Sequence, residues 1–254
     1  MCELFGLSAN KPVNVLFSWK GFYRRGKFQP HGWGIAFYPD KSVVIFKEPL
    51  ASIESKLAKF IRDYENIKSK IFISHIRYAS SGSQEYQNTH PFSRKLNGCE
   101  WVFAHNGTLS ENIKESLPLK EIKPIGDTDS EYAFCLILER IKNTNSEEEI
   151  KDVIEKTARE ISEYGGFNFL LSDGAKLFAF WSGHNSFYYL ERKPPYIDKT
   201  IKLEDEDFSI KLTEMKAPDE KALLIATKPL TNERWVKFEK RKLYEFVDGE
   251  IKWR

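Results

Sequence analysis

Cysteine is scarce in this 254-residue chain, which carries it only at positions 2, 99 and 135, with no C-x-x-C pair. So sparse and odd a set argues against a disulfide framework and against a thiolate zinc site, and fits a reducing compartment. Long apolar runs are missing too. The longest, Tyr132 to Leu138, falls far short of the roughly 20 residues that cross a bilayer. The opening Met1-Cys2-Glu3-Leu4 has an acid where a secretory leader carries positive charge, and Lys11-Pro12 closes the first apolar segment too early for a leader core. Neither sign of charge dominates: 39 Lys and Arg against 37 Asp and Glu leave +2, too little to attract phosphate backbones or acidic membranes. Arg24-Arg25 and Lys240-Arg241-Lys242 are expected on solvated faces. There is no G-x-x-x-x-G-K-[ST] loop, no paired-histidine helix and no 20 to 50 residue repeat. The expectation is a cytoplasmic protein that binds neither nucleic acid nor membrane and carries no signature of a metal or cofactor.

Apolar material is plentiful, at 41% of residues with 14% aromatic, enough for a sizeable core. It falls in short runs bounded by Gly, Asn, Asp and Pro, which predicts strands near 2–8, 33–38, 42–47, 70–78, 101–105, 166–172, 175–181, 186–191, 222–227, 234–238 and 243–247. Three segments show helical spacing instead. Ile150, Val153, Ile154, Ala158 and Ile161 follow Ser146 and Glu149 in capping-box register; Ile53, Leu57, Phe60, Ile61 and Tyr64 form a second stripe; Thr128 and Glu131 cap a third helix over about 129–141. Strand runs broken by blocks of helix predict an α+β fold with antiparallel sheets and helices outside, because parallel crossovers would need a helix between most strand pairs. Residues 202–207 are either an edge hairpin or a loop.

Several short motifs bear chemically useful groups. Cys2 would carry both a thiol and, once Met1 is removed, an α-amine of pKa near ~7.7–8.0 that can take the thiol proton. Its plainer alternative is a small hydrophobe in a strand. Asn106-Gly107, ending the apolar run Trp101 to His105, is first a turn signal, but an amide and a backbone N–H there could face an oxyanion. Arg77 ends a predicted strand, where it either forks a carboxylate or makes a structural ion pair. His90, in Asn88-Thr89-His90-Pro91-Phe92, is either satisfied by hydrogen bonds or catalytic. Asp129 either serves the start of its helix or meets a substrate ammonium. His31-Gly32-Trp33-Gly34 reads as a strand entry with close backbone packing.

Taken together and in this order, Met1-Cys2-Glu3-Leu4-Phe5-Gly6, His31-Gly32-Trp33-Gly34, His75-Ile76-Arg77-Tyr78-Ala79, Asn88-Thr89-His90-Pro91, Ala104-His105-Asn106-Gly107 and Gly126-Asp127-Thr128-Asp129-Ser130-Glu131 resemble the class II glutamine amidotransferases of the N-terminal-nucleophile hydrolase superfamily. The likeness is to stand-alone, single-domain members and runs along nearly the whole chain. It implies one amidotransferase domain over 1–254 and a four-layer αββα sandwich with two antiparallel sheets inside. It also implies roles: Cys2 as nucleophile and base carrier, Asn106 and Gly107 as oxyanion hole, Arg77 on the glutamine α-carboxylate and Asp129 on its α-ammonium, with Tyr78, Ser80 and His90 around the substrate.

Two positions depart from that pattern. Ser80-Ser81 stand where many members have Thr-His, so an imidazole that grips the carboxylate is missing, and His31 stands where an Asp is frequent. The activity implied is release of ammonia from glutamine through a Cys2 γ-glutamyl thioester, with or without a separate ammonia-acceptor enzyme. Its alternatives are a hydrolase of another γ-glutamyl amide or peptide and a silent glutamine-binding module. Cys99 and Cys135 read as structural.

Overall fold

The computed structural model describes residues 2–79, 82–144, 146–198, 200–204 and 208–253. Its first sheet has seven strands, in spatial order Val236–Lys237 (β13), Tyr188–Arg192 (β9), Ala222–Ala226 (β12), Glu3–Val13 (β1), Ser69–Arg77 (β4), Gly32–Phe37 (β2) and Val44–Glu48 (β3). The second has six: Glu250–Trp253 (β15), Leu243–Val247 (β14), Leu177–Phe180 (β8), Asn168–Ser172 (β7), Cys99–Asn106 (β6) and Phe92–Leu96 (β5). Strand pairs in both are antiparallel. Helices Leu16–Arg24 (α1) and Lys56–Asp63 (α2) cover the outer face of the first sheet, and Asp129–Ile141 (α4) and Glu147–Ile161 (α5) that of the second. The short helices Ile113–Ser116 (α3) and Leu212–Met215 (α6) and a small hairpin, Thr200–Lys202 (β10) with Ser209–Lys211 (β11), complete the described elements. This is the αββα arrangement expected from the sequence.

Two-residue alternation assigns each strand side chain to a layer. On β1, Phe5 and Leu7 meet α1, whereas Leu4 joins Val102, Ala104 and Leu170 between the sheets. On β4, Phe72 and Ile76 face the helices, whereas Ile71 and Ile73 point inward. With both faces covered, such strands read as continuous apolar runs, and seven successive residues from Glu3 to Ala9 are buried. Across the second sheet, Phe134 of α4 stacks on Phe103 of β6 with ring centroids 5.1 Å apart, which ties the start of α4 to the end of β6.

The predicted helices at 129–141 and 150–161 are present, capped by Thr128 and Ser146 side chains. The middle stripe is shorter than expected. Ile53 and Tyr64 lie outside α2, and they and Phe60 are exposed, so Leu57, Ala58 and Ile61 alone turn toward the core. Helix α1 escapes the reading because Gly21 and four aromatics depress its propensity, and packing of Trp19 and Phe22 compensates. Strands β5 and β15 were not expected either; both lie at sheet edges and are rich in charged and polar residues. Of the 202–207 segment, Lys202 pairs with Ser209 between β10 and β11, and 205–207 lie outside the described residues. Arg25 corrects the solvated-face expectation: it is buried, donating from Nη1 to Glu3 Oε2 at 3.1 Å and from Nη2 to the Pro229 carbonyl at 2.7 Å.

Candidate active site

Three strand ends meet at one edge of the space between the sheets. In the β1–β4 ladder Glu3 lies opposite Ile76, so one step further brings Cys2 beside Arg77. Alternation turns Cys2 inward with Leu4, and Arg77 inward with Ile71 and Ile73. From the second sheet, Asn106 faces inward in the same register as Val102 and Ala104, and its Nδ2 donates to the Cys2 carbonyl at 2.7 Å. Neighbouring His105 turns the other way, toward α4.

The Cys2 thiol is held by the backbone of Tyr78: Sγ donates to the Tyr78 carbonyl and accepts from its N–H, each at 3.3 Å. Burial pushes the thiol above its ordinary value and nearby Asp129 adds to this, while the Tyr78 hydrogen bond and Arg77 oppose it. Arg77, itself buried, donates to the carbonyls of Ser83 at 3.1 Å and Gly82 at 3.2 Å. Asp129 opens α4 but does not cap it. Thr128 Oγ1 accepts the Glu131 N–H, and the Asp129 carboxylate instead accepts from the N–H groups of Leu109 at 2.7 Å and Ser130 at 2.9 Å. The Glu131 carboxylate turns to the Gly126 N–H and to Arg94.

Cys2, Arg77, Tyr78, His90, His105, Gly107, Thr128, Asp129 and Ser130 line one small, partly open cavity. Six of the eight sequence-predicted site residues therefore share a wall, and Asn106 joins them through Cys2; Ser80 lies outside the described residues. His105, Thr128 and Ser130 were not singled out, although each adjoins a residue that was. The chain turns out of β6 at Asn106-Gly107, where a bend at Gly107 follows the strand. β6 pairs with β5 and β7, and the chain leaves Asn106 to bridge Leu109 with Gly165. Glycine is needed at 107 for close approach, since a Cβ there would come within 1.8 Å of the Gly166 carbonyl oxygen. The close packing read at His31-Gly32-Trp33-Gly34 is present, because a Cβ on Gly34 would meet the His90 carbonyl oxygen at 2.2 Å.

Three buried histidines back the cavity. His105 Nε2 donates to the Gly166 carbonyl at 3.0 Å, which leaves Nδ1 to accept from Ser130 Oγ at 2.8 Å. His75 Nε2 donates to the His105 carbonyl at 3.1 Å. Contrary to one sequence expectation, neither ring nitrogen of His90 meets a hydrogen-bond partner among the described residues; the ring packs 4.2 Å from that of His75. Burial lowers all three, His75 to about 3 and His90 well below the usual range, so the cluster is neutral at physiological pH and supplies no ready base. No group of three His, Cys, Asp or Glu among the described residues is arranged to hold a metal ion.

The profile of class-II glutamine amidotransferases matches residues 1–254. The chain belongs to that family. Protein MJ1515 of Methanocaldococcus jannaschii, uncharacterized, is 48% identical over 99% of this chain and 70% of its own length. YafJ of Escherichia coli K12, named provisionally as a glutamine amidotransferase, is 39% identical over 98% of this chain and 99% of its own. Among solved structures, that of a predicted glutamine amidotransferase from Pseudomonas aeruginosa PA01 matches over 100% of both chains, with a TM-score of 0.74 and 34% identity. The glutamine phosphoribosylpyrophosphate amidotransferase of B. subtilis shares the fold at 17% identity and a TM-score of 0.69, this chain spanning 48% of it. The sandwich is thus of the N-terminal-nucleophile hydrolase type. No described helix of this family member is long and apolar enough to cross a membrane.

Proposed function

We propose that the chain hydrolyses the side-chain amide of glutamine through a γ-glutamyl thioester on Cys2. The observation that carries this reading is the gathering of Cys2, Arg77, Gly107 and Asp129 on one cavity, with the Asn106 amide on the Cys2 carbonyl. While Met1 is attached, the Cys2 nitrogen is an amide and no base. Removal of Met1 makes it an amine of pKa ~7.7–8.0, which takes the thiol proton in a site where burial disfavours a free thiolate and the histidines are too weakly basic to compete.

Sulfur then bonds to the amide carbon as the carbonyl electron pair moves onto oxygen. The second Asn106 N–H and the Gly107 N–H face that oxyanion. Collapse breaks the carbon–nitrogen bond, and the nitrogen leaves as ammonia with the proton held by the Cys2 amine. Water, deprotonated by the same amine, attacks the thioester carbon; the carbon–sulfur bond breaks, glutamate leaves and the amine returns the proton to the Cys2 sulfur. Arg77 pairs with the substrate α-carboxylate and Asp129 with its α-ammonium. Tyr78, which lines this partly open cavity, is 45% exposed. His90 lines the same cavity. The single domain, in the cytoplasm, passes its ammonia to water or to a separate acceptor enzyme.

The test is a substrate panel with Met1-free protein. Equimolar glutamate and ammonia from glutamine, abolished in Cys2→Ala, support the proposal. Rapid cleavage of larger γ-glutamyl amides with glutamine untouched assigns the chemistry to another amide.

A further inference from the structure

The β2–β4 ladder ends at the pair Gly32 and Arg77, yet the contact between the two chains runs one residue further by other means. The His31 N–H donates to the Arg77 carbonyl at 3.1 Å, and the Ala79 N–H donates to His31 Nδ1 at 2.9 Å. An imidazole here takes the place of the strand carbonyl that would otherwise receive Ala79. The two bonds bracket Tyr78, whose own N–H and carbonyl both hold the Cys2 sulfur. The His31 ring also packs on the Tyr78 ring with centroids 5.0 Å apart.

We infer that His31 is a positioning residue for the nucleophile: its Nδ1 lone pair fixes the 77–79 backbone that holds the Cys2 thiol. The role needs an acceptor at Nδ1, so the working tautomer carries its proton on Nε2. A group that accepts at the same distance along the side chain serves equally. Asn does so through Oδ1, whereas Ala leaves the Ala79 N–H without its partner and loosens the Tyr78 peptide.

This inference rests on Cys2 being the nucleophile, so its test reads the thiol directly as well as turnover. Met1-free wild type, His31→Ala and His31→Asn are alkylated with iodoacetamide across a pH series, and modification of Cys2 is followed by peptide mass mapping with Cys99 as internal reference. In His31→Ala the apparent ionisation of Cys2 is expected to move up by about one unit as the Tyr78 N–H bond to sulfur is lost. Glutamine turnover should fall about tenfold in kcat with KM little changed. His31→Asn should restore both. A Cys2 titration in His31→Ala identical to wild type overturns the inference, as does His31→Asn matching the alanine variant, which would make ring packing rather than the acceptor decisive. If no variant, wild type included, hydrolyses glutamine, the proposed substrate fails while the titrations still judge His31.

Discussion

Asn106 on the second sheet donates its side-chain amide to the carbonyl oxygen of Cys2 on the first, at 2.7 Å, and so stitches the two sheets together beside the Cys2 thiol. An amide nitrogen has two hydrogens, and holding one on Cys2 aims the other without further ordering. Preorganised donors of this kind stabilise developing charge at little cost at the moment of reaction.

Asn106→Ala is therefore expected to lower kcat by ~10²–10³ while circular dichroism stays that of wild type. Steady-state ammonia release checks this, and near-normal turnover would remove Asn106 from the oxyanion hole.

Gly107→Ala should act differently, through the fold. The new Cβ would meet two backbone atoms of Gly166, at 1.8 and 2.4 Å, and backbone cannot swing aside as a long side chain can. Overpacking of this kind costs about 3 kcal/mol, a fall of roughly 10 °C in Tm for a chain of this size. Thermal melts of the two proteins decide it; an unchanged Tm would mean that the 107 and 166 segments are not packed as described.

The buried histidines make stability depend on acid. His75, His90 and His105 bind protons in the unfolded chain below about pH 6.5 but resist them when folded, because burial disfavours the charged ring. The unfolded state then holds more protons, so this stabilisation is complete above pH 6.5 and is lost as pH falls toward the lowered folded values. For His75, lowered to about 3, the loss approaches about 1.4 kcal/mol per pH unit well below pH 6.5. Urea midpoints measured from pH 7 to pH 5 should fall steadily, whereas a level midpoint over that range would show the rings to be protonated in the folded protein.

Much of this arrangement was legible before any coordinates. Short apolar runs bounded by turn residues identify the strands buried on both faces, and the Thr128 and Ser146 caps mark two helices, because local chemistry alone decides those features. The charged edge strand β5 and the aromatic helix α1 were not legible, since their neighbours rather than their own residues hold them. At the site, residue type left Cys2, Arg77 and Asn106 with plainer alternatives, and only the ordered set of motifs singled them out. That they converge depends on strand register, and the acceptor role of His31 depends on where a ladder stops, which no local pattern records.

Cys135 tests whether the nucleophile is rightly placed. It is fully buried on α4, and burial pushes its thiol up to about 11, so it is inert at neutral pH. Cys135→Ala should keep kcat within about twofold of wild type once a modest loss of stability is allowed for. Inactivity in a folded Cys135→Ala protein would point to the wrong sulfur.

The most direct measurement is covalent trapping of the Met1-free protein with 6-diazo-5-oxo-L-norleucine, a glutamine analogue with an electrophilic carbon at the amide position, followed by peptide mass mapping. One adduct per chain, on Cys2 and slowed by excess glutamine, is the expected result. An adduct on Cys99 or Cys135, or none on a folded protein with a free amino-terminal cysteine, would contradict the account.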